Sequence, residues 1–326
     1  MLVLAAAAQA AAPAAYPARS DVRAFIDEMA ETQGFDRAAL RRLFAQVRYK
    51  REIVAAMERP LLAPPKWYEY APPFLAPARV AGGVAYWNAH ADELARAEAQ
   101  YGVPAEIVVA IIGVETFYGR VTGKYRALDA LATLAFDYPR RAAFFRGELK
   151  QFLLLARELG VSPLVPKGSF AGALGVPQFM PGSYRSYAVD LDGDGRPDLW
   201  ASAPDIVGSV ANFLARHDWQ PGQPVLLAAA LADASREQVL RRLDGGISER
   251  RTVAAWAADG VTVVDPPEGL APDSVGVLLL EEDLAGGEGA SFRIACHNFY
   301  VLTRYNRSRL YATAVWELAK AIRAAR

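Results

Sequence analysis

The spacing of apolar residues predicts helices over most of the chain. Residues 20–57 have helical spacing that begins at Ser20, a good capping residue. A proline-rich stretch over residues 60–77 ends this pattern, and helical spacing resumes over residues 82–219 and again over residues 308–322. The chain is therefore predicted to be mainly helical.

The pattern changes after Pro221. Short apolar runs over residues 261–264 and 275–280 are separated by Asp, Gly and Pro, which is typical of strands and turns. A single helix-like insert falls near residues 236–243. The predicted fold class is mainly α with a small β domain (α+β), without the regular alternation of strands and helices of an α/β protein.

One carboxylate, Glu115, follows a stretch that contains no other charge. Residues 107–114 are all apolar or glycine, so we expect a helix that is enclosed on every side. We expect this helix to begin at Pro104, to carry Glu106 at the positive end of its dipole and to end at Gly119.

Burial and the negative end of the helix dipole both disfavour the ionised form of Glu115, so both raise its pKa. A carboxylic acid that stays neutral near pH 7 can act as a general acid. The alternative is a structural glutamate paired with an arginine. The residues of this helix leave both interpretations open.

Composition excludes several classes of protein. Lys plus Arg and Asp plus Glu both number 36 in 326 residues, so no overall field recruits nucleic acid. The single cysteine, Cys296, lies in an apolar run that predicts a core position, and it excludes an internal disulfide framework. The three histidines His90, His217 and His297 do not form the i, i+4 pair of a helical zinc site.

The first residues indicate export. Residues 1–10 are apolar and rich in alanine, and Ala8-Gln9-Ala10 offers a small-residue cleavage site. A disordered Ala/Pro tail is the alternative. No later segment has ~18 uninterrupted apolar residues for a transmembrane helix, and no early cysteine could carry a lipid anchor. We therefore predict a soluble, exported protein, periplasmic where the cell has a periplasm.

A loop of acidic residues suits calcium. Asp190, Asp192 and Asp194 hold positions 1, 3 and 5 of the loop, a glycine holds position 6, and the Arg196 carbonyl holds position 7. At position 12 Ala201 replaces the bidentate glutamate. A structural Ca²⁺ site and a metal-free Asp/Gly turn both fit, and no motif indicates an organic cofactor.

A glycine-rich segment over residues 168–181 suits either a ligand contact or an ordinary loop. Its glycines would allow the backbone to approach a ligand closely. Ser169 and Gln178 would supply neutral hydrogen bonds.

Six motifs resemble, in order and spacing, those of the family B lytic murein transglycosylases. They are Gly113-Val-Glu115-Thr, Leu128-Asp-Ala-Leu-Ala-Thr133-Leu, Tyr138-Pro-Arg-Arg141, Gly168-Ser-Phe-Ala-Gly-Ala173, Pro177-Gln-Phe-Met-Pro181 and Arg304-Tyr-Asn306. The resemblance extends over residues 20–320. It implies a lysozyme-like catalytic core flanked by a helical domain and an inserted antiparallel β domain. It also implies cleavage of the β-1,4 bond between N-acetylmuramic acid and N-acetylglucosamine in peptidoglycan, leaving a 1,6-anhydro ring.

The resemblance assigns the site residues. Glu115 is the acid and base. The residues that match the sugar cleft are Ser169, Gln178, Tyr305 and Asn306, with Tyr70, Tyr311 and Phe213 as further candidates for its wall. Relatives often have a tyrosine at the position of Phe213, and phenylalanine offers no hydroxyl for a contact there. Arg140 and Arg141 match positions that meet the peptide side of the substrate, although alone they indicate a solvated helix start. Asp205 matches the aspartate that closes an enlarged calcium loop.

The resemblance also predicts the domain organisation. Residues 1–17 are expected to form a signal-like segment, and residues 18–78 with 308–326 a helical domain. The expected catalytic core, with the calcium loop, covers residues 79–219. A β-rich insertion follows over residues 220–297, and residues 298–307 are expected to return to the cleft.

The choice of reaction depends on the number of carboxylates. A glycoside hydrolase needs a second carboxylate roughly 5 to 9.5 Å from the first. Asp129 and Asp137 are nearest in sequence, but their motifs resemble helix caps and loops. A transglycosylase needs only Glu115. We expect a lytic transglycosylase whose partners are glycan strands and other cell-wall enzymes; a hydrolysing muramidase and a non-catalytic peptidoglycan-binding protein are the alternatives.

Overall fold

A computed structural model describes residues 15–59, 65–282 and 290–326 of the chain. The chain forms two compact units. The first unit is Met1–Arg59 with Lys124–Ala173, and the second unit is Pro60–Gly123 with Leu174–Arg326. These units cut across the predicted domain boundaries, which stay a prediction. Residues 1–14 of the signal-like segment lie outside the described residues.

Helices dominate both units. In chain order they are α1 (Ser20–Gln33), α2 (Arg37–Phe44), α3 (Arg51–Glu58), α4 (Trp67–Tyr70), α5 (Pro72–Leu75), α6 (Pro77–Ala89), α7 (Ala91–Tyr101), α8 (Ala105–Thr116), α9 (Ala127–Asp137), α10 (Ala142–Glu158), α11 (Pro181–Tyr187), α12 (Ala203–Arg216), α13 (Arg236–Leu240), α14 (Val253–Ala258), α15 (His297–Tyr305) and α16 (Arg309–Ala325). The strands are β1 (Tyr125–Arg126), β2 (Lys167–Gly168), β3 (Leu226–Leu231), β4 (Ile247–Thr252), β5 (Val261–Val263), β6 (Val275–Glu282) and β7 (Ala290–Ala295).

The first unit packs α9 against α3 and α10. Its first helical stretch is divided because Gly34 adopts a left-handed conformation (φ 67°) at the end of α1. Asp36 then caps α2, since its side chain accepts a 2.6 Å hydrogen bond from Ala39 N–H. In the same unit β1 pairs with β2 as a two-residue antiparallel ladder.

The β-rich part of the second unit is a five-stranded sheet in the order β4-β6-β7-β3-β5, and each neighbouring pair is antiparallel. Ile294 of β7 lies opposite both Leu278 of β6 and Leu227 of β3. These residues pack with Trp256 and Cys296 in one apolar core, where burial raises the pKa of the Cys296 thiol to about 11. The predicted strands near residues 261–264 and 275–280 are confirmed.

Helix α8 lies at the centre of the second unit, packed against α16, α6 and α12. Its residues from Ala105 to Gly113 are all buried, as the uncharged stretch predicted. The predicted ends of the helix were wrong. Pro104 is the capping residue, not the first helical one, and α8 ends at Thr116 because Phe117 adopts a left-handed conformation (φ 52°).

Glu106 lies in the first turn of α8 and is buried. It accepts a 2.7 Å hydrogen bond from the guanidinium of Arg323 on α16, so this carboxylate of the helix is the one paired with an arginine. In the described part of the chain no helix by itself has the length and apolarity to cross a bilayer; α7 and α8 together would pass such a test but meet at a 114° bend.

Candidate active site

The carboxyl of Glu115 and the phenol of Tyr311 form the centre of the site. Glu115 lies in the last turn of α8, and Tyr311 in the first turn of α16, where Ser308 caps the helix. The Tyr311 hydroxyl donates a 2.7 Å hydrogen bond to Oε1 of Glu115. Burial raises the pKa of Glu115 to about 7, although the hydrogen bond from Tyr311 acts in the opposite direction. The predicted rise is confirmed, and Glu115 can hold or release a proton near neutrality.

Aromatic side chains surround this carboxyl. The rings of Tyr305 and Tyr311 are stacked with centroids 6.4 Å apart and an angle of 12° between their planes. The Tyr305 hydroxyl donates a 2.7 Å hydrogen bond to the Pro177 carbonyl. Burial and the charge of Glu115 raise the pKa of Tyr70, and raise those of both other tyrosines well above 10, so the phenols stay neutral donors.

Phe213 packs against the ring of Tyr305. It is only 5% exposed, and its ring meets that of Tyr305 edge-on at 4.8 Å between centroids. Phe179 and His217 contact its other sides. The structure therefore brings Phe213 together with the site, as a packing residue beneath Tyr305.

Gln178 holds the loop that precedes α11. It adopts a left-handed conformation (φ 54°), and its side-chain N–H groups donate to the carbonyls of Gly175 at 2.8 Å and Thr122 at 3.1 Å. Asn306 directly follows Tyr305, is exposed, and caps the end of α15. Both residues lie in the same unit as Glu115.

The backbone after Glu115 turns sharply. Phe117, Tyr118 and Gly119 all have positive φ, at 52°, 59° and 83°. Thr116 fixes the turn, because its hydroxyl donates to the Val176 carbonyl at 2.9 Å and accepts from Gly119 N–H at 3.0 Å. Two consecutive left-handed residues other than glycine are costly, and such strain is concentrated at functional sites.

Three glycines make room for the side chain of Tyr118, a contact that sequence reasoning missed. A Cβ added at Gly82, Gly83 or Gly113 would lie 2.6–2.8 Å from atoms of the Tyr118 ring or hydroxyl. The Tyr118 hydroxyl donates at 2.8 Å to the Arg79 carbonyl, and the Arg79 guanidinium donates to the Gly113 carbonyl. The available signal was the presence of these three glycines in a region with helical spacing.

The acidic loop brings three carboxylates together. Oxygen atoms of Asp190, Asp192 and Asp194 lie within 4.8 Å of one another. Asp190 also accepts hydrogen bonds from Gly193 N–H at 2.7 Å and Gly195 N–H at 2.8 Å, which folds the loop around it. Hard oxygen ligands in this arrangement fit Ca²⁺.

Asp205 does not belong to this cluster of three carboxylates and is fully buried. Its Oδ1 accepts from Leu191 N–H and its Oδ2 from Asp198 N–H, both at 2.7 Å. It thus anchors both sides of the acidic loop to the start of α12, while a place among the metal ligands stays a prediction.

Three predicted substrate residues belong to the first unit. The Ser169 hydroxyl oxygen accepts a 3.0 Å hydrogen bond from Ala173 N–H and so closes its own loop. Arg140 and Arg141 are exposed, and the guanidinium of Arg141 lies 4.4 Å from the ring centroid of Phe144. Contact of these three residues with a substrate stays a prediction.

Asp129 and Asp137 have structural partners within the first unit. Asp137 accepts from the Tyr16 hydroxyl at 2.6 Å and from Arg19 at 2.5 Å. Asp129 is buried and accepts from Arg48 N–H at 2.9 Å and from the Arg126 guanidinium at 2.5 Å. These contacts agree with their predicted capping and loop roles.

Comparison with known proteins covers nearly the whole chain. Residues 17–320 match the family model described as the transglycosylase SLT domain. The chain is 43% identical over 311 residues to membrane-bound lytic murein transglycosylase B of Escherichia coli K12, covering 93% of this chain and 82% of that protein.

Two solved structures are also similar. Soluble lytic transglycosylase SltB1 of Pseudomonas aeruginosa is 46% identical with a TM-score of 0.86, covering 94% of this chain and 99% of that one. The Escherichia coli lytic transglycosylase Slt35 in complex with calcium is 42% identical with a TM-score of 0.84, covering 95% and 94% of the two chains. These likenesses confirm the predicted lysozyme-like fold with its small antiparallel sheet.

Proposed function

This chain belongs to the transglycosylase SLT domain family, as its six motifs predicted, and because it is a lytic transglycosylase of peptidoglycan we propose that Glu115 is its single acid and base. The bond cleaved is the β-1,4 bond between N-acetylmuramic acid and N-acetylglucosamine, and the product carries a 1,6-anhydromuramyl end. The observation that carries this proposal is the half-buried Glu115 carboxyl, whose pKa is about 7, with the Tyr311 hydroxyl 2.7 Å from it.

Glu115 takes part in two successive proton transfers. Protonated Glu115 donates to the glycosidic oxygen as the bond to muramyl C1 breaks, and N-acetylglucosamine leaves with that proton. The carboxylate that remains accepts the proton of the muramyl C6 hydroxyl while the C6 oxygen bonds to C1. Glu115 ends protonated, no water is consumed, and the hydrogen bond from Tyr311 stabilises the carboxylate between the two transfers.

The contacts of Asp129 and Asp137 support a reaction with one carboxylate. Hydrolysis needs a second carboxylate either as a nucleophile or as a base for water. Asp129 and Asp137 were the nearest candidates in sequence. Both accept hydrogen bonds from backbone N–H or arginine groups of the first unit. A muramidase mechanism would have to recruit some other carboxylate.

Neutral polar residues in the same unit as Glu115 would orient the sugar. Intramolecular attack competes with water only when the C6 hydroxyl is held against C1, and orientation can supply that advantage. We assign this role to Tyr305, Gln178 and Asn306, with Tyr70 and Tyr311 forming the wall. The predicted contacts of Ser169, Arg140 and Arg141 belong to the same proposal.

We also propose a structural Ca²⁺ on the acidic loop. Asp190, Asp192 and Asp194 would supply carboxylate oxygens, and Arg196 its carbonyl; Asp205 stays a predicted further ligand. The carboxylate cluster and the calcium complex of the similar transglycosylase Slt35 support this proposal. The metal would stabilise the loop and take no part in the chemistry.

The substrate indicates the place of action. Peptidoglycan lies outside the cytoplasmic membrane, so we propose an exported, periplasmic enzyme that works on glycan strands beside other cell-wall enzymes.

Product analysis separates the three candidate functions. The protein is incubated with purified sacculi, and the released muropeptides are measured by mass spectrometry. We expect 1,6-anhydromuramyl ends, which weigh one water less than reducing ends. Mainly reducing ends would establish a hydrolase, and no release would establish a binding protein. The variant Glu115→Gln is the control for contaminating activity.

A further inference from the structure

A basic cavity in the first unit has no part in the chemistry described so far. Its volume is about 420 Å³, and it is lined by Arg48, Lys50, Lys124, Tyr125, Arg126, Asp129 and Lys167. Five of these seven residues are cationic in a chain whose net charge is zero. The cavity is therefore a local concentration of positive charge.

The one carboxylate of the cavity does not neutralise this charge. Asp129 is buried, and its Oδ1 accepts from Arg48 N–H at 2.9 Å and from Arg126 Nη2 at 2.5 Å. Within the described residues, the side chains of Arg48, Lys50, Lys124 and Lys167 have no carboxylate within 4.0 Å. Four cationic groups thus face the cavity without a counter-ion from the protein.

The position of Arg126 is energetically unfavourable in two respects, and an anionic ligand would relieve both. Arg126 and Lys167 lie directly opposite each other in the β1–β2 ladder, and like charges in such a pair destabilise a sheet. The Nε of Arg126 is also buried without a hydrogen-bond partner among the described residues. Unpaired buried donors are uncommon in proteins.

The size and lining favour a ligand with several carboxylates over a single small anion. The cations come from three separate segments, residues 48–50, 124–126 and 167, so they surround the cavity. Tyr125 adds an aromatic face, with Lys124 Nζ 5.8 Å from its ring centroid. An extended peptide offers both carboxylates for the cations and methylene groups for the ring.

We propose that this basic cavity binds the carboxylates of the peptidoglycan stem peptide. This inference rests on the proposed function for the identity of its ligand. Strand β2 leads directly into Ser169, a predicted sugar contact, and the stem peptide is attached to the muramyl sugar. Because the glycan itself carries no comparable charge, the cavity distinguishes peptide-bearing strands from bare ones.

The test is binding of a ligand that the enzyme cannot cleave. In an N-acetylglucosaminyl–N-acetylmuramyl tetrapeptide the muramyl C1 carries no further sugar, so the glycosidic bond that the proposed reaction breaks is missing. The compound can be prepared with its carboxylates free or amidated. We expect the amidated form to bind about tenfold more weakly in calorimetry, a difference that should shrink with added salt as charges are screened.

Matched double variants locate the site. Lys124→Glu with Lys167→Glu reverses two exposed cations of the cavity, and Arg41→Glu with Arg42→Glu reverses two exposed cations on α2 of the same unit. The cavity variant should bind the free-carboxylate ligand at least about tenfold more weakly and bind the amidated form as before. The α2 variant should match the wild type for both ligands. Arg126 is left unchanged because it ties Asp129 to the Gln46 carbonyl.

Three outcomes would overturn the proposal. They are equal binding of free and amidated ligands, equal losses in the two double variants, and inorganic phosphate displacing the peptide at equimolar concentration, which would indicate a phosphate site. Failure of the proposed function is seen separately, in the ends released from sacculi. If no anhydro ends are released from sacculi but binding still depends on the carboxylates of the ligand, the proposed reaction is refuted and the proposed peptide site is retained.

Discussion

The hydroxyl of Tyr311 donates a 2.7 Å hydrogen bond to the carboxyl of Glu115, across 196 residues of sequence. Burial pushes the pKa of Glu115 upward and this hydrogen bond pushes it downward, with a net value of about 7. A residue that must first donate and then accept a proton is best served by a pKa near the working pH. In the proposed mechanism Tyr311 therefore positions Glu115 and also adjusts its proton affinity.

Replacing Glu115 with glutamine should abolish cleavage while the fold is kept. Glutamine has the shape of the acid but cannot donate the proton, and acid–base roles are worth ~10²–10⁴ in rate. The measurement is the rate of anhydromuropeptide release together with a melting curve. Activity within about threefold of wild type would contradict the assignment.

Glu106→Gln is the matched control for that variant. It changes the other glutamate of α8, which is buried and paired with Arg323 at 2.7 Å. Loss of the ion pair between the buried Glu106 and the exposed Arg323 should lower the melting temperature slightly and leave the cleavage rate of the folded enzyme unchanged.

Activity should fall as the pH rises through about 7, because Glu115 then loses the proton that it must donate. In Tyr311→Phe the carboxylate loses a hydrogen bond, so its pKa should rise and the alkaline limb of the profile should move to higher pH. The plateau rate should also fall, because the carboxyl is less well held. A purely structural role for Tyr311 would lower the rate without moving the limb.

The same pKa makes stability depend on pH. The folded value of about 7 lies above the ordinary value of 4.5, so the folded state binds the proton more tightly than the unfolded chain. The contribution of Glu115 is complete below pH 4.5 and is lost as the pH rises through about 7. Urea midpoints at pH 5.5 and 8.5 should therefore differ less in Glu115→Gln than in wild type; an unchanged difference would show that Glu115 is not the titrating group.

The sequence was sufficient to predict the helix that carries Glu115, because an apolar run of this length without a polar face is typical of a helix buried on every side. It was also sufficient for β5 and β6, whose apolar residues are β-branched or leucine. It did not indicate β4, an edge strand whose sequence Ile-Ser-Glu-Arg-Arg-Thr is polar. Edge strands are often charged, which hides them from a search for apolar alternation.

The pairing of Glu115 with Tyr311 could not be read from spacing, since it depends on how α16 packs against α8. The role of Asp205 is a second example. A carboxylate that accepts backbone N–H groups and one that binds a metal look the same in sequence. Only the direction of its oxygen atoms distinguishes the two roles.

Calcium should raise the melting temperature of the wild type, and Asp192→Ala, which removes a ligand oxygen, should abolish the increase. A ligand bound only by the native state stabilises it by mass action, about 2.7 kcal/mol at a hundredfold excess over Kd. Chelation should leave the Glu115 chemistry intact at temperatures where the fold persists. Asp205→Ala provides the contrast: it leaves buried N–H groups of the loop unpaired and should destabilise by about 3 kcal/mol with or without calcium. If wild type shows no calcium-dependent shift, the loop is a metal-free turn.

Gly113→Ala should destabilise the protein and impair cleavage, whereas Gly147→Ala should stabilise it. Both glycines lie within helices, so alanine gains about 1 kcal/mol of helix propensity at either position. At Gly147 an added Cβ meets nothing within 4 Å, but at Gly113 it would lie 2.6 Å from the Tyr118 hydroxyl. Tyr118 must then move, and it stands three residues after Glu115 in a turn fixed by left-handed backbone. Denaturant midpoints and cleavage rates of the two variants measure the difference. If Gly113→Ala were as stable and as active as Gly147→Ala, the close packing of glycines against Tyr118 would have no part in positioning Glu115.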